Sequence, residues 1–170
     1  MELPKDWSEF IGLLLAHRVR FLIVGAYALA ANGRPRATQD IDFWVEPTRP
    51  NARRLCAALA RFGFPALSEA VEEFSTPGRM ATLGRPPFRI DLMTSIDGVS
   101  FDRGWRNRVT ARFGRSRVGF LGRSEMLRNK RATGRPKDLA DVALLEENDA
   151  ATRSSGRRRR RGARKRRRVR

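Results

Sequence analysis

The sequence predicts a small mixed α/β (α+β) domain over residues 1–150, a central sheet flanked by helices, followed by a disordered basic tail over 151–170. Three observations predict it. The stretch Phe21–Val45, FLIVGAYALAANGRPRATQDIDFWV, reads as strand, glycine turn, short helix, basic connector and second strand. Apolar residues recur at helical intervals from Trp7, from Leu55 and after Pro136, which supplies helices to cover a sheet. From Arg153 to Arg170 there are twelve Arg or Lys and no acid, a composition that repels itself and has little apolar surface to bury.

In order along the chain, Asp6 followed by Glu9 has capping-box spacing, and Trp7, Phe10, Ile11, Leu14 and Leu15 define an amphipathic first helix. His17, the only histidine, closes it beside Arg18 and Arg20, without a second histidine or a cysteine nearby to complete a metal site. Phe21–Val24 is apolar and partly β-branched, as a buried strand requires, and Gly25 turns the chain. Ala26–Ala31 are strong helix formers that stop at Asn32-Gly33. Asp40–Val45 then alternates, with Ile41, Phe43 and Val45 on one face and Asp40 and Asp42 on the other. Pro47 and Pro50 bracket a turn before a helix with the stripe Leu55, Ala58, Leu59 and Phe62. Leu67–Phe74 suggests a short acidic helix, and Thr76–Gly84 a loop with a Pro-Gly turn. Phe88, Ile90 and Leu92 alternate with Arg89, Asp91 and Met93 in a further strand, after which Asp97 and Asp102 fall in a predicted loop. Arg117–Leu121 reads as a last short strand and Ser124–Arg131 as a helix. Pro136 opens the final helix, whose wide apolar surface from Leu139 to Leu145 predicts that it packs into the domain.

Two aspartates two residues apart on a strand point the same way, beside a turn whose free backbone N–H groups suit a phosphate. Paired carboxylates repel unless a cation stands between them, so Asp40 and Asp42 are candidate metal ligands, with Asp91 as a third acid. The competing readings are a solvated edge strand for the pair and an ion pair to Arg89 or Arg85 for Asp91. Near the carboxyl end, Lys130, Arg131, Arg135 and Lys137 gather around Thr133-Gly134, a basic loop suited to polyphosphate or simply to solvent. Asp138 beside them favours the dipole of the final helix.

Composition bounds what such a site belongs to. A 41% hydrophobic content with ten Phe suffices for a core. The single cysteine, Cys56, rules out an intramolecular disulfide and reads as a packing residue. No stretch approaches the roughly 18 apolar residues of a membrane span, so a cytoplasmic protein with no membrane partner is expected. Of the +18 net charge, the body through Thr152 keeps 24 basic against 18 acidic residues; two-thirds of the excess is in the tail. That tail is either an electrostatic arm for RNA or DNA or a solvated extension.

VGAYALAANGRPRATQDIDFWV, RIDLM and NKRATGRPKDLADVALLE together resemble the minimal nucleotidyltransferases of the DNA polymerase beta superfamily, in particular the abortive-infection and toxin–antitoxin branch, over roughly residues 8–148. The resemblance implies the nucleotidyltransferase fold and transfer of a nucleoside monophosphate from an NTP, ATP among them, to an acceptor hydroxyl. It implies two magnesium ions held by Asp40, Asp42 and Asp91, and nucleotide contacts from the turn Gly25-Ala26 and from Lys130, Arg135 and Lys137, with Asp138 as organiser. The family's turn is usually Gly-Gly or Gly-Ser; Ala26 keeps the backbone N–H and lacks a hydroxyl. Acceptors within that implication are an RNA 3′ end such as tRNA, a partner protein or a small molecule. Two other classes compete: a catalytically degenerate module that binds a cognate toxin or antitoxin, and a nucleic-acid binder acting through its tail.

Overall fold

The computed structural model describes residues 4–146, and its shortest strand, β1 (Phe21–Ile23), lies inside the sheet with all three residues buried. Continuous apolarity suits a strand covered on both faces. In chain order the elements are α1 (Lys5–Ala16), β1, α2 (Gly25–Ala31), β2 (Asp40–Val45), α3 (Arg49–Phe62), α4 (Val71–Ser75), β3 (Met80–Leu83), β4 (Arg89–Met93), α5 (Phe101–Arg106), β5 (Val109–Phe113), β6 (Ser116–Phe120), α6 (Arg123–Thr133) and α7 over 136–146. The six strands form one mixed sheet in the order β3-β4-β2-β1-β6-β5. β1 runs antiparallel to β2 and parallel to β6, and β2 runs parallel to β4. The predicted tail, 151–170, lies outside the described residues, as does the end of the predicted domain.

Strand alternation assigns the two faces. On one, Phe10 of α1 meets Phe43 of β2 edge-on at 5.4 Å, and Phe43 also meets Phe21. Trp7, Phe10, Ile11 and Leu14 are all buried there, and α3 joins through Phe62 against Phe10. On the other face, Trp44 of β2 meets Phe101 of α5 at 5.1 Å. Helices thus cover the sheet on both sides. Cys56 is buried in α3 as a packing residue, as expected.

Several elements differ from the sequence reading. The first helix starts one residue before Asp6, with Pro4 at the N-cap and no side-chain cap, so the capping box does not form and Asp6 acts within the first turn. Leu15 is left exposed. The expected loop over Thr76–Gly84 contains β3, an edge strand in which only Leu83 is buried; with one apolar anchor it shows no alternation to read. Asp102 stands in the first turn of α5 rather than in a loop. β5 was likewise not expected, because its exposed Val109 and Thr110 resemble a surface segment. Phe88 precedes β4 and is half exposed. α7 buries Val142 and Leu145 while leaving Leu139 and Leu144 exposed, so it is packed along a narrower stripe than predicted. Among the described residues no helix is long and apolar enough to cross a membrane.

The seat of α5 depends on the absence of one side chain. A Cβ at Gly104 would stand 2.7 Å from Trp44 Cζ3 and 3.3 Å from Leu22 Cδ1, both buried. Gly104→Ala is therefore expected to cost about 1–3 kcal/mol through displaced packing, measured by urea denaturation; an unchanged midpoint would show that α5 does not seat on Leu22 and Trp44.

Candidate functional site

The acidic residues come together because β2 and β4 are parallel neighbours in one register: Asp42 stands opposite Asp91, and Asp40 opposite Arg89. Alternation then puts all four on one sheet face. Beside them lies a cleft of about 620 Å³ lined by Gly25, Ala26, Thr38, Asp40, Asp42, Arg89, Asp91, Lys130, Arg135 and Lys137, among others. Every site residue expected from the sequence lines it. Asp138 is fully buried rather than part of the lining.

Gly25 joins the turn to the acids by contact. Its φ is +61°, and a Cβ there would fall 2.0 Å from Asp42 Oδ2. The turn passes so close to the carboxylate that only glycine fits.

The charges are arranged unevenly. Arg89 donates to Asp40 Oδ2 at 2.8 Å and, through Nε, to Asp91 Oδ2 at 3.1 Å, bridging the two acids. Thr82 donates to Asp91 Oδ1 at 2.7 Å, and Thr38 donates to Asp40. Asp91 is buried with these partners satisfied. The ion-pair reading of Asp91 is met in Arg89, whose grip on Asp40 follows from a register that the sequence does not display. Asp42 is held differently: burial, then the negative charges of Asp40 and Asp91, push its pKa up to about 6 against the pull of Lys130 and Arg89. Among the described residues no group of three His, Cys, Asp or Glu side chains is gathered to hold a metal ion as it stands. A guanidinium, not open space, lies between Asp40 and Asp91.

On the opposite wall the basic cluster is partly consumed. Lys130 lies on α6, is buried, and pairs with Asp138 and, at 2.9 Å, with Asp141. Arg135 also donates to Asp138. Burial alone would raise Asp138, but the hydrogen bonds of Arg135 and Lys130 outweigh it and hold its pKa below the usual value. Asp138 thus ties α6 to α7, beyond any dipole role, and Asp141, with Arg36 at 3.6 Å, extends the network. Asp141 went unnoticed in the sequence; its i,i+3 spacing from Asp138 on a helix was the available signal.

No protein-family model matches the chain, and no curated protein does. A Thermotoga maritima protein provisionally assigned as a nucleotidyltransferase superposes with a TM-score of 0.52, at 12% identity, over 92% of this chain and 96% of that one. The chain has the nucleotidyltransferase fold. The lincomycin-bound lincosamide antibiotic adenylyltransferase LnuA is also similar, with a TM-score of 0.47 and 10% identity over 85% of this chain and 97% of that one. At these identities the likeness is one of fold. Within the nucleotidyltransferase fold of this chain, the acids and the basic wall face each other across the cleft between the sheet and α6.

The state of Asp42 has a measurable consequence. Its folded pKa lies above the ordinary 3.8, so the folded protein holds a proton there that the unfolded chain has released between pH 4 and 6. The stabilisation is full below that window and is lost as pH rises through about 6. Asp42→Asn removes the dependence, and the variant is expected to be more stable than the parent at pH 8 by on the order of 1–3 kcal/mol, allowing for solvent on the cleft side. The difference should vanish near pH 4; parallel stability curves in metal-free buffer would refute the assignment.

Proposed function

We propose that this chain transfers a nucleoside monophosphate from a nucleoside triphosphate to an acceptor hydroxyl, with divalent cations at the acidic face. The observation that carries the reading is the meeting of Asp40, Asp42, Asp91 and the Gly25 turn with Arg135 and Lys137 in one cleft. The nucleotidyltransferase fold supports it.

The donor set suits magnesium. Three carboxylates offer only oxygen ligands, and a cation would offset both the burial of Asp42 and the charges of Asp40 and Asp91 that raise it. Asp40, Asp42 and Asp91 would hold the two ions implied by the resemblance once Arg89 releases its carboxylates. When bound, the ions supply positive charge against the triphosphate. Exposed Arg135 and Lys137 contact the outer phosphates. Lys130, committed to Asp138 and Asp141, supports Arg135 from behind. The acceptor oxygen bonds to the α-phosphorus, the bond from that phosphorus to the bridging oxygen breaks, and pyrophosphate leaves with the electron pair. Asp91, once Arg89 has released it and while Thr82 still holds its Oδ1, takes the hydroxyl proton, the part that the resemblance gives to the third acid. The acceptor is an RNA 3′ end such as tRNA, a partner protein or a small molecule, in a cytoplasmic toxin–antitoxin or phage-defence setting; this part of the proposal rests on the resemblance in sequence.

One observation favours a second reading. Arg89 already bridges Asp40 and Asp91 and offsets part of their charge, as a cation-independent binding module would require. Incubation with labelled triphosphates, magnesium and total tRNA tests the first reading: Asp42→Asn should lower transfer by on the order of a hundredfold or more, and equal turnover by variant and parent would sink the metal-pair assignment. Arg89→Met separates the two readings by stability. It strands the buried Asp91 charge at a cost of about 1–3 kcal/mol, and magnesium should restore the loss if the carboxylates bind it. A melting temperature indifferent to magnesium in parent and variant alike would favour the binding module.

A further inference from the structure

The arginines of the β5–β6 hairpin take no part in the cleft, and their arrangement is not that of an ordinary solvated surface. From Arg103 to Arg117 the chain carries six arginines and no acid. Among the described residues only Arg103 has an acidic partner there, Glu125. Among the described residues Arg106, Arg108, Arg112, Arg115 and Arg117 are exposed and make no ion pair. Elsewhere on the surface Arg20 pairs with Glu46, Arg49 with Glu72 and Arg131 with Glu146, while Arg53 and Arg54 of α3 are exposed without an acidic partner among the described residues; what sets the hairpin apart is how its arginines face one another.

The hairpin register sharpens the contrast. Arg112 stands directly opposite Arg117. Like charges facing each other across an antiparallel pair are destabilising. Next to them, Arg108 lies with its guanidinium carbon 4.2 Å from the centre of the Trp105 ring, over which Arg20 also lies at 4.7 Å. Phe101 stacks on the same ring at 5.8 Å, so Trp105 does not offer a plane for a base; it holds Arg108 in place beside the hairpin, and the groups left for a ligand are cations suited to phosphate.

The position of this patch links it to the cleft. The side-chain carbons of Arg108 lie over Gly119, which also abuts Leu22. Leu22 pairs with Trp44, two residues beyond Asp42 on the same side of β2. Alternation then carries Arg112 and Arg117 onto the sheet face that holds the carboxylates, with α5 packed between patch and cleft. That face exposes no large apolar side chain on the hairpin, since Val109 belongs to the opposite side, so nothing there suits insertion into a lipid surface.

We propose that this arginine face binds the phosphate backbone of a nucleic-acid strand and leads one end of it past α5 toward the cleft. The surface stands on its own geometry; the strand's role as acceptor rests on the transferase reading above. The test measures binding of the full chain to fluorescein-labelled single-stranded RNA and DNA by anisotropy over a salt series, with phosphatidylserine vesicles in parallel. The double variant R112S/R117S is compared with R53S/R54S, which removes the same charge from exposed residues of α3 on the other side of the sheet. R112S/R117S should weaken RNA and DNA binding roughly tenfold and lower the salt slope by about 1.4, two phosphate contacts at about 0.7 each, while R53S/R54S changes neither. Its thermal midpoint should not fall, because an opposed like-charge pair has been removed. Equal effects of both double variants, no effect of either, or a loss confined to vesicles would overturn the proposal. Binding that follows the expected pattern in a protein without nucleotide transfer would uphold the surface and sink the enzyme reading alone.

Discussion

The parallel pairing of β2 with β4 is the constraint on which the rest depends. It sets Asp42 against Asp91 and Asp40 against Arg89, and so concentrates three negative charges and one positive charge on a single face. The apolar halves of the same strands, Ile41 and Phe43 with Ile90 and Leu92, are buried and fix that register, because a one-residue slip would send the carboxylates into the core. Burial of the other face under α1 and α3 thus holds an arrangement that electrostatics alone would disfavour. Burial first, and the neighbouring charges of Asp40 and Asp91 second, raise the pKa of Asp42 within it.

Two cationic groups manage this charge in different ways. Arg89 reaches along its own strand and across to β2, so it is an internal counterion within reach of solvent. Lys130 is buried between α6 and α7, where two aspartates fix it; removing either side of that cluster would leave charge stranded in a dry place. The first can exchange partners with a ligand. The second holds the wall against which a ligand would lie.

Much of this was legible in the sequence, and for identifiable reasons. Alternation exposed β2 and β4, helical stripes exposed α1 and α3, and Gly25 marked the turn, so the acids and the turn could be assigned to one site before any coordinates. β3 and β5 escaped because their burial is slight and their residues satisfy the sheet through backbone hydrogen bonds that no side-chain pattern records. The capping box misled because Asp6 and Glu9 have the right spacing within the helix rather than at its boundary. Lys130 looked free because its partner Asp141 lies eleven positions on, and only the packing of α7 against α6 joins them. The division of charge between body and tail is plain in the composition, whereas the opposition of the arginines of the β5–β6 hairpin exists only in the paired state.

The contact between Gly25 and Asp42 ties two positions together. A Cβ at position 25 would stand 2.0 Å from Asp42 Oδ2, well inside contact distance, so any side chain there would have to expel the carboxylate. A shorter residue at position 42 would lift that clash but leave the left-handed φ of +61° at position 25, which by itself favours glycine. Glycine is thus required there twice over, by the backbone and by the acid, so that the acid at position 42 depends on the glycine while the glycine does not depend on the acid.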